Sequence, residues 1–236
     1  MKSQTAVEDY VKVIYSHTEW QEQPITTSAL AARLGLAASS VTEMVKKLGK
    51  QGLVTHVPYG AVTLTAPGTA LALRMLRRHR LIETWLVQQY GYGWDEVHDE
   101  AEVLEHSLSD RLLDAIDEQL GYPTRDPHGD PIPSREGSIV QPAAILLRDA
   151  VEGTTTKVVR ISDSDPTLLR HLEAEAITLD SELTVLGRKP FGGSFVVRVG
   201  ASALNGEHDE GDVDRDRDLG DQALASIWVS ELVASN

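Results

Sequence analysis

Gly35 separates two short helical segments near the start of the chain, and no other sequence feature constrains the fold as much. The segment before it can be capped by Thr26 or Thr27, and the segment after it is predicted to be a helix over 38–50. Glycine favours the left-handed conformation that reverses the chain between such helices. A helix predicted over 5–17 precedes the pair. The pattern is typical of a helix-turn-helix.

Two strand-like runs follow the third predicted helix. Residues 53–57 and 61–65 are rich in valine, leucine and threonine, and a turn-forming triplet at 58–60 separates them. This pattern predicts a β-hairpin. A helix-turn-helix followed by a hairpin is a winged helix, a fold that places its third helix in the major groove of double-stranded DNA.

Most of the residues that this fold would present to DNA are polar. They are Thr27, Ser39, Ser40, Thr42, Glu43, Lys46, Lys47 and Tyr59. The lysines would contact phosphates, whereas the two serines and Glu43 are candidates for contacts to base edges. The alternative is an ordinary solvated helix face.

The distribution of charge supports contact with DNA, although the formal net charge of −14 does not. Residues 1–80 contain 10 basic and 5 acidic residues, whereas residues 81–236 contain 12 and 31. The N-terminal third is therefore positively charged and suited to DNA phosphates.

The remainder of the chain predicts helices first and strands later. Helices are expected over 67–90 and over about 95–120, and long helices outside a DNA-binding head commonly form dimer interfaces. Residues 121–142 are rich in proline and glycine and predict an ordered loop or a linker at a domain boundary. A small β-barrel with one helix is predicted beyond them, from strand-like runs at 156–161, 182–187, 194–199 and 227–232 and a helical run near 166–175. The acidic stretch 206–221 predicts a mobile surface loop.

The stretch from His98 to His106 is the richest in metal-binding side chains. His98, Glu102 and Glu105 stand at positions i, i+4 and i+7, and His106 follows directly. A single continuous helix through this stretch would project imidazole and carboxylate groups along one edge. This spacing predicts a chelating site.

Further potential ligands lie on other predicted helices. His79 and Glu83, also four residues apart, would face the same edge if the two helices pack antiparallel, and Asp9 could complete the site. The chain has no cysteine, so nitrogen and oxygen would have to hold any metal. One such pair alone is more simply explained as solvated surface charge. Several buried carboxylates, however, would be strongly unfavourable without a cation.

Five motifs together resemble the diphtheria toxin repressor family, and in particular its manganese-sensing branch. They are VEDY at 7–10, RHRLIE at 78–83, VHDEAE at 97–102, EHSLSD at 105–110 and PHGDPIP at 127–133. The resemblance covers essentially the whole chain and implies a mainly α fold with small β parts (α+β). The implied parts are a winged helix at 1–73, a helical dimerisation and metal-binding domain at 74–141, a linker at 142–155 and an SH3-like β-barrel at 156–236.

The resemblance implies an activating metal site on Asp9, Glu102, Glu105 and His106, together with His79. Iron-sensing members carry methionine and cysteine where this chain has Asp9 and Glu102. Replacing sulfur by carboxylate makes the site harder, which favours Mn²⁺ over softer competitors. We therefore expect Mn²⁺, with Fe²⁺ as the alternative.

The resemblance also implies an ancillary site, which gives two metal sites per subunit. Its implied ligands are Glu83, Asp126, His128 and Asp163. Asp165 is the alternative to the last of these, and iron-sensing relatives instead use His79, Glu83 and His98 with residues of the SH3-like domain. Both patterns are present here. A turn in which aspartate bonds its own backbone is an equally good explanation of the Asp126 motif.

These features predict a homodimeric, metal-activated repressor that binds palindromic operator DNA and controls metal-uptake genes. The two DNA-contacting helices of a dimer on such an operator must lie about 34 Å apart. A cation joining Asp9 to Glu105 and His106 would couple that spacing to metal concentration. A cytoplasmic location is expected, because the N-terminus lacks a signal sequence and no segment approaches the roughly 18 apolar residues of a membrane span. No membrane contact and no organic cofactor are expected.

Two other classes of protein could in principle carry such a set of acidic residues and histidines. An enzyme is disfavoured, because the sequence contains neither an HExxH motif nor a glycine-rich phosphate loop. A winged-helix regulator that senses a small organic ligand remains open, with the acidic helices serving only structure.

Overall fold

The structure is a computed structural model, and it describes residues 2–57, 60–200 and 215–230. The chain forms two compact units. The N-terminal unit comprises Met1–Ile82, Glu102–Gln119 and Ile132–Ile139. The C-terminal unit comprises Glu83–Ala101, Leu120–Pro131 and Val140–Asn236. No helix in the part of the chain that the structure describes is long and apolar enough to cross a membrane.

The N-terminal unit begins with the predicted winged helix. Its elements are α1 (Lys2–Glu19), β1 (Ile25–Thr26), α2 (Thr27–Leu34), α3 (Ala38–Lys50), β2 (Val54–His56) and β3 (Ala61–Leu64). The Thr26 hydroxyl caps α2 by accepting the Ala29 amide at 3.2 Å, and Gly35 ends α2 with a φ of 64°. The sheet order is β1-β3-β2, so the predicted hairpin gains a third, unpredicted strand.

A single apolar core joins α1 to the helix-turn-helix. Its buried residues are Val7, Tyr10, Ile14, Ile25, Leu30, Ala31, Val41, Val45, Leu48, Val54 and Val62. Because α1 contributes three of these side chains, it is part of the winged-helix head and cannot shift without disturbing that core.

Two helices replace the single helix that was predicted over 95–120. After the long helix α4 (Ala66–Tyr90), the chain forms α5 (Val97–Leu104) and α6 (Asp110–Gln119). The Ser109 hydroxyl accepts the Leu112 amide at 3.3 Å, which is the bond of a helix N-cap. The local signal for a new helix start therefore outweighs the continuous apolar periodicity.

The break between α5 and α6 moves two predicted ligands off the helix. Glu105 and His106 lie in the connecting turn, where Nε of Arg78 donates to the Glu105 carbonyl at 2.7 Å. A carbonyl engaged in this way does not need a helical partner. The prediction that His98, Glu102 and Glu105 share one edge of a single helix is therefore wrong.

The C-terminal unit contains a six-stranded antiparallel sheet in the order β4-β9-β5-β6-β7-β8. The strands are β4 (Ala144–Leu146), β5 (Thr155–Ile161), β6 (Glu182–Arg188), β7 (Phe195–Val199), β8 (Arg215–Leu219) and β9 (Ile227–Ser230). Helices α7 (Pro166–Ala174) and α8 (Asp221–Leu224) accompany them, with 3₁₀ helices at Leu147–Asp149 and Pro190–Gly192. The four predicted strands and the helix near 166–175 are all present.

Two strands of this sheet lie where no strand was predicted. β4 lies in the segment 142–155 that was predicted to be a linker, and it pairs with β9. β8 lies in the acidic stretch 206–221, so the prediction of a loop is wrong for 215–219. There, Asp216 accepts from Arg198 of β7 across the strand pair at 2.8 Å, and Asp218 accepts from Lys189 at 2.7 Å. Residues 206–214 lie outside the described residues.

Candidate metal centre and nucleic-acid interface

The N-terminal unit brings together side chains from α1 and from the turn between α5 and α6. Nε2 of His106 lies 2.8 Å from an oxygen of Asp9 and 3.3 Å from an oxygen of Glu105. One ligand atom from each of the three lies within 4.8 Å of the others. The Glu105 side chain is completely buried. These atoms form an oxygen and nitrogen donor set that suits a hard divalent cation.

Two further predicted ligands share Glu105 with this group. Nδ1 of His79, from α4, lies 2.6 Å from Oε2 of Glu105. His79, Glu102 and Glu105 also offer ligand atoms within 4.8 Å of one another. We call the five residues Asp9, His79, Glu102, Glu105 and His106 the first cluster. The structure thus places all the side chains predicted for the activating site together.

Lys12 is part of this arrangement and was missed in the sequence. Its ammonium nitrogen lies 2.6 Å from an oxygen of Glu102 and 2.7 and 2.8 Å from the two carboxylate oxygens of Glu105. Burial would lower the pKa of Lys12, but the two carboxylates outweigh it and raise that pKa. Its spacing in the sequence could have indicated this role, because Lys12 follows Asp9 by three residues and so lies on the same face of α1.

Glu8 is the second residue that was missed. Its carboxylate lies 3.0 Å from Nδ1 of His106 and 3.9 Å from the guanidinium of Arg74. A carboxylate on one ring nitrogen fixes the tautomer and orientation of a histidine whose other nitrogen serves as a ligand. Glu8 therefore turns Nε2 of His106 toward Asp9 and Glu105.

The acidic groups of the first cluster have opposite pKa shifts. Burial would raise the pKa of Glu105, but the hydrogen bond from His79 and the charge of Lys12 outweigh it and lower that pKa. For Asp9, burial dominates over the attraction of His106, so its pKa is raised. Glu105 is thus an ionised anchor, while Asp9 gains most from added positive charge.

A second group of ligand atoms lies within the C-terminal unit, and we call Glu83, His98, His128 and Asp163 the second cluster. Nδ1 of His98 lies 3.2 Å from Asp163 and 3.4 Å from Glu83. Glu83, His128 and Asp163 offer ligand atoms within 4.8 Å of one another. Burial disfavours the charged form of His98, but hydrogen bonds to Asp163 and Glu83 raise its pKa to about 11.

His128 gives an independent indication that the second cluster suits a cation. Its Nε2 lies 2.6 Å from the carbonyl oxygen of Trp94, to which it donates. Nδ1 is buried and has no hydrogen-bond partner among the described residues, and the nearest Glu83 oxygen is 3.9 Å away. Burial lowers the pKa of His128, but the carboxylates of Glu83, Asp126 and Asp163 outweigh it and raise that pKa, so a cation bound at Nδ1 would take the place of a proton. This donor set fits a divalent metal ion.

The two remaining aspartates are explained by local structure. Asp126 accepts the backbone amides of His128 and Asp130, both at 2.9 Å, which is the turn considered as the alternative. Asp165 caps α7 by accepting the Thr167 amide at 2.9 Å. Neither belongs to a ligand cluster among the described residues, so Asp163 is the better candidate from its segment.

The outer face of α3 carries most of the predicted DNA contacts. Val41, Val45 and Leu48 are buried on one side of the helix. Ser39, Ser40, Glu43 and Lys46 are exposed on the other, Thr42 and Lys47 are partly exposed, and Thr27 begins α2.

Thr42, Glu43 and Lys46 have hydrogen-bond or ion-pair partners within α3. The Thr42 hydroxyl donates to the Ala38 carbonyl at 2.8 Å, and Lys46 bonds Glu43 at 2.8 Å. An exposed pair of this kind is weak and can be exchanged for contacts to DNA. Tyr59 lies outside the described residues.

Three family models match successive parts of the chain. The N-terminal DNA-binding domain of iron-dependent repressors matches residues 3–62. The metal-binding and dimerisation domain of the same repressors matches residues 65–134. The FeoA domain, an SH3-like β domain, matches residues 145–207. This order agrees with the predicted fold class.

Individual relatives point to the same family. A solved structure of a manganese-dependent transcriptional repressor in complex with manganese is 48% identical, with 96% of this chain and 100% of that chain covered and a TM-score of 0.87. The HTH-type transcriptional regulator MntR of Oceanobacillus iheyensis is 33% identical over 117 residues, which are 50% of this chain and 78% of that protein. The iron-dependent repressor IdeR of Mycobacterium tuberculosis is 35% identical over 126 residues, which are 53% of this chain but only 54% of that protein.

The chain therefore belongs to the diphtheria toxin repressor family and is a metal-dependent transcriptional repressor. Members of this family are DNA-binding regulators and not enzymes, so the expectation that the chain is not an enzyme is confirmed. The expected resemblance and the expected fold class, with a winged helix, a helical metal-binding domain and an SH3-like domain, are confirmed as well.

Proposed function

We propose that the chain is a manganese-activated repressor that binds palindromic operator DNA as a cytoplasmic homodimer and controls genes of metal uptake. One observation carries the proposal: Asp9, from a helix of the DNA-binding head, meets Glu105 and His106 from the turn after α5. The first cluster would be the activating site and the second cluster the ancillary site. The domain bounds at 73/74, 141/142 and 155/156 remain part of this proposal.

The choice of Mn²⁺ rests on the donor chemistry. The first cluster offers carboxylate and imidazole but no sulfur, and hard oxygen donors suit Mn²⁺ better than softer metals do. The manganese-bound neighbour at 48% identity supports this choice. The likeness to the iron-dependent repressor IdeR keeps Fe²⁺ as the second candidate.

The residues themselves suggest how metal would control DNA binding. Val7, Tyr10 and Ile14 fix α1 in the winged-helix core, and Asp9 projects from the same helix toward the turn after α5. A divalent ion would supply the positive charge that allows these carboxylates to share one site. Holding Asp9 against that turn restricts α1, and hence the orientation of α3. Metal binding would then control the distance between the two α3 helices of a dimer.

The test begins with DNA selected from a random-sequence pool in the presence of Mn²⁺, because the operator is not specified by the site. Fluorescence anisotropy then measures affinity with Mn²⁺, with Fe²⁺ under anaerobic conditions, and with a chelator. We expect Mn²⁺ to strengthen binding about 5- to 150-fold. His106→Ala should abolish this response, and His171→Ala, at an exposed histidine of α7, should retain it.

Three outcomes would contradict parts of the proposal. Binding that is independent of metal would favour a regulator of another kind. Activation by Fe²⁺ at lower concentration than Mn²⁺ would favour the iron-sensing alternative. A selected sequence without twofold symmetry, or a monomer in sedimentation experiments on the DNA complex, would exclude a dimer on a palindrome.

A further inference from the structure

The ammonium group of Lys12 lies inside the cluster of carboxylates that would bind the activating metal. We propose that Lys12 is a built-in cation of the first cluster, which occupies the position between Glu102 and Glu105 and limits this cluster to one divalent ion. This inference rests on the proposed function, because it assigns a metal count to the proposed activating site.

The contacts of Lys12 are those of a bound cation. Its three hydrogens serve three carboxylate oxygens at 2.6, 2.7 and 2.8 Å. The side chain is only 7% exposed, so water cannot readily replace these contacts if they are lost. Because Lys12 comes from α1, the same helix as Asp9, it is anchored in the winged-helix core and is not a mobile surface lysine.

The donor atoms beside Lys12 suit one further cation. Oε2 of Glu105 is shared between Lys12 and His79, at 2.8 and 2.6 Å. Oε1 of Glu105 also accepts from Lys12, at 2.7 Å, and it forms a group with Asp9 and Nε2 of His106. That group has enough donors for a single ion completed by water.

The charge of the first cluster also favours a single divalent ion. Four carboxylates, Glu8, Asp9, Glu102 and Glu105, meet the ammonium of Lys12 and the two histidines bonded to them. The ammonium and one divalent ion together cancel three of those four negative charges. A second divalent ion would reverse the sign of the cluster and would lie beside the ammonium, where like charges repel strongly.

The experiment counts Mn²⁺ in the full-length chain. The double variant His128→Ala/Asp163→Ala removes two ligands of the second cluster, so that bound ions report on the first cluster alone. Equilibrium dialysis should give one Mn²⁺ per chain, with the six-line electron paramagnetic resonance spectrum of an isolated ion. Adding Lys12→Glu should raise the count to two, with a spectrum broadened by coupling between neighbouring ions. Lys12→Gln should also admit a second ion, more weakly.

Arg74→Met is the matched control, because Arg74 is a largely exposed cation near Glu8 and outside the proposed position. It should leave the count at one. Two ions per chain with Lys12 intact, or one ion in a folded Lys12→Glu or Lys12→Gln chain, would overturn the inference. If Lys12→Glu does not fold, two measurements still test the inference. They are the number of Mn²⁺ ions bound with Lys12 intact and the electron paramagnetic resonance spectrum of Lys12→Gln. A chain without the two substitutions in the second cluster that binds no Mn²⁺ would instead refute the proposed function.

Discussion

The two clusters contain the same kinds of side chain but balance their charges in different ways. In the first cluster, Lys12 bonds Glu102 and Glu105, so buried carboxylates are matched by a permanent cation. In the second, the carboxylates of Glu83 and Asp163 are matched by His98, a group that must bind a proton to become a cation. A cluster of metal ligands can therefore be stabilised in the absence of metal in two ways. Balance by a lysine makes no difference to stability between pH values near neutrality, whereas balance by a histidine makes stability depend on pH in that range.

The largest expected effect comes from removing the anchor of the first cluster. Glu105→Ala would leave the buried ammonium of Lys12 without its main partner, and breaking a buried ion pair typically costs about 3–5 kcal/mol. We expect that loss in the free energy of unfolding, measured by urea titration in the presence of a chelator. Mn²⁺ binding to the first cluster should be lost as well.

Glu102→Ala is the matched control for Glu105→Ala. The Glu102 side chain is 40% exposed and contacts Lys12 through one oxygen. Water can replace part of that interaction, so the cost should remain near the value of about 1 kcal/mol or less that is typical of solvated pairs. Equal losses in the two variants would show that Lys12 is not balanced mainly by Glu105.

A substitution at Gly129 should disturb the second cluster alone. Gly129 has a φ of +93°, and a Cβ there would lie 2.1 Å from the carbonyl oxygen of Val159. The backbone strain costs about 1–2 kcal/mol and the overlap about 1–3 kcal/mol more. Gly129→Ala should therefore lower stability and displace His128, with loss of one Mn²⁺ per chain in dialysis.

Gly121→Ala separates strain from crowding. Gly121 has a φ of +73°, and an added Cβ would have no neighbour within 4 Å. This variant should show only the strain of about 1–2 kcal/mol and keep its full metal count. If Gly129→Ala retains Mn²⁺ binding at the second cluster, the loop that carries His128 does not determine that site.

A smaller effect is expected when the orientation of His106 is relaxed. Glu8→Gln replaces the carboxylate that faces Nδ1 of His106 by a neutral amide. Loss of such a supporting contact costs about 10- to 100-fold in metal affinity, and we expect the lower end because the amide oxygen still accepts a hydrogen bond. Isothermal titration with Mn²⁺ measures the change. Glu22→Gln, at an exposed glutamate, removes the same charge and should have no effect. Equal affinities in the two variants would remove Glu8 from the site.

The comparison of clusters also shows what a sequence can predict. The winged helix followed from local signals such as Gly35 and Thr26, because turn and cap chemistry depends on near neighbours. The five ligands of the first cluster were named through their residue types and a family resemblance, but on the assumption of one continuous helix. The N-cap at Ser109 starts a new helix instead, and the periodicity of apolar residues alone does not reveal such a cap.

Other features depend on contacts between residues distant in sequence. Lys12 is 90 residues from Glu102, and a lysine on an amphipathic helix normally predicts a solvated surface. Strand β8 was missed because its alternation of arginine and aspartate is polar on both faces, and its charges are matched by residues distant in sequence, such as Arg198 of β7 for Asp216 and Glu175 for Arg217. Such features are fixed by tertiary structure, so they become visible only in the folded chain.

The dependence of stability on pH tests the second half of the comparison directly. Because Asp163 and Glu83 raise the pKa of His98 to about 11 against the opposing effect of burial, the folded chain keeps this proton longer than the unfolded chain, whose histidine titrates near 6.5. The stabilisation is complete below about pH 6.5 and is lost as the pH rises toward the folded-state value. In a chelator, the free energy of unfolding should fall between about pH 7 and pH 10 by less than the limiting 1.4 kcal/mol per unit, since the side chain is 42% exposed.

His98→Gln should flatten this slope, because glutamine keeps a polar side chain but binds no proton in the range. His171→Gln removes an exposed histidine and should leave the slope of the original chain. His128 and Lys12, whose pKa values are also raised against the effect of burial, by neighbouring carboxylates, contribute equally to both variants, so the difference between the two slopes reports His98 alone. Parallel slopes would mean that the second cluster is balanced by something other than the His98 proton, and the contrast with the lysine-balanced first cluster would then be lost.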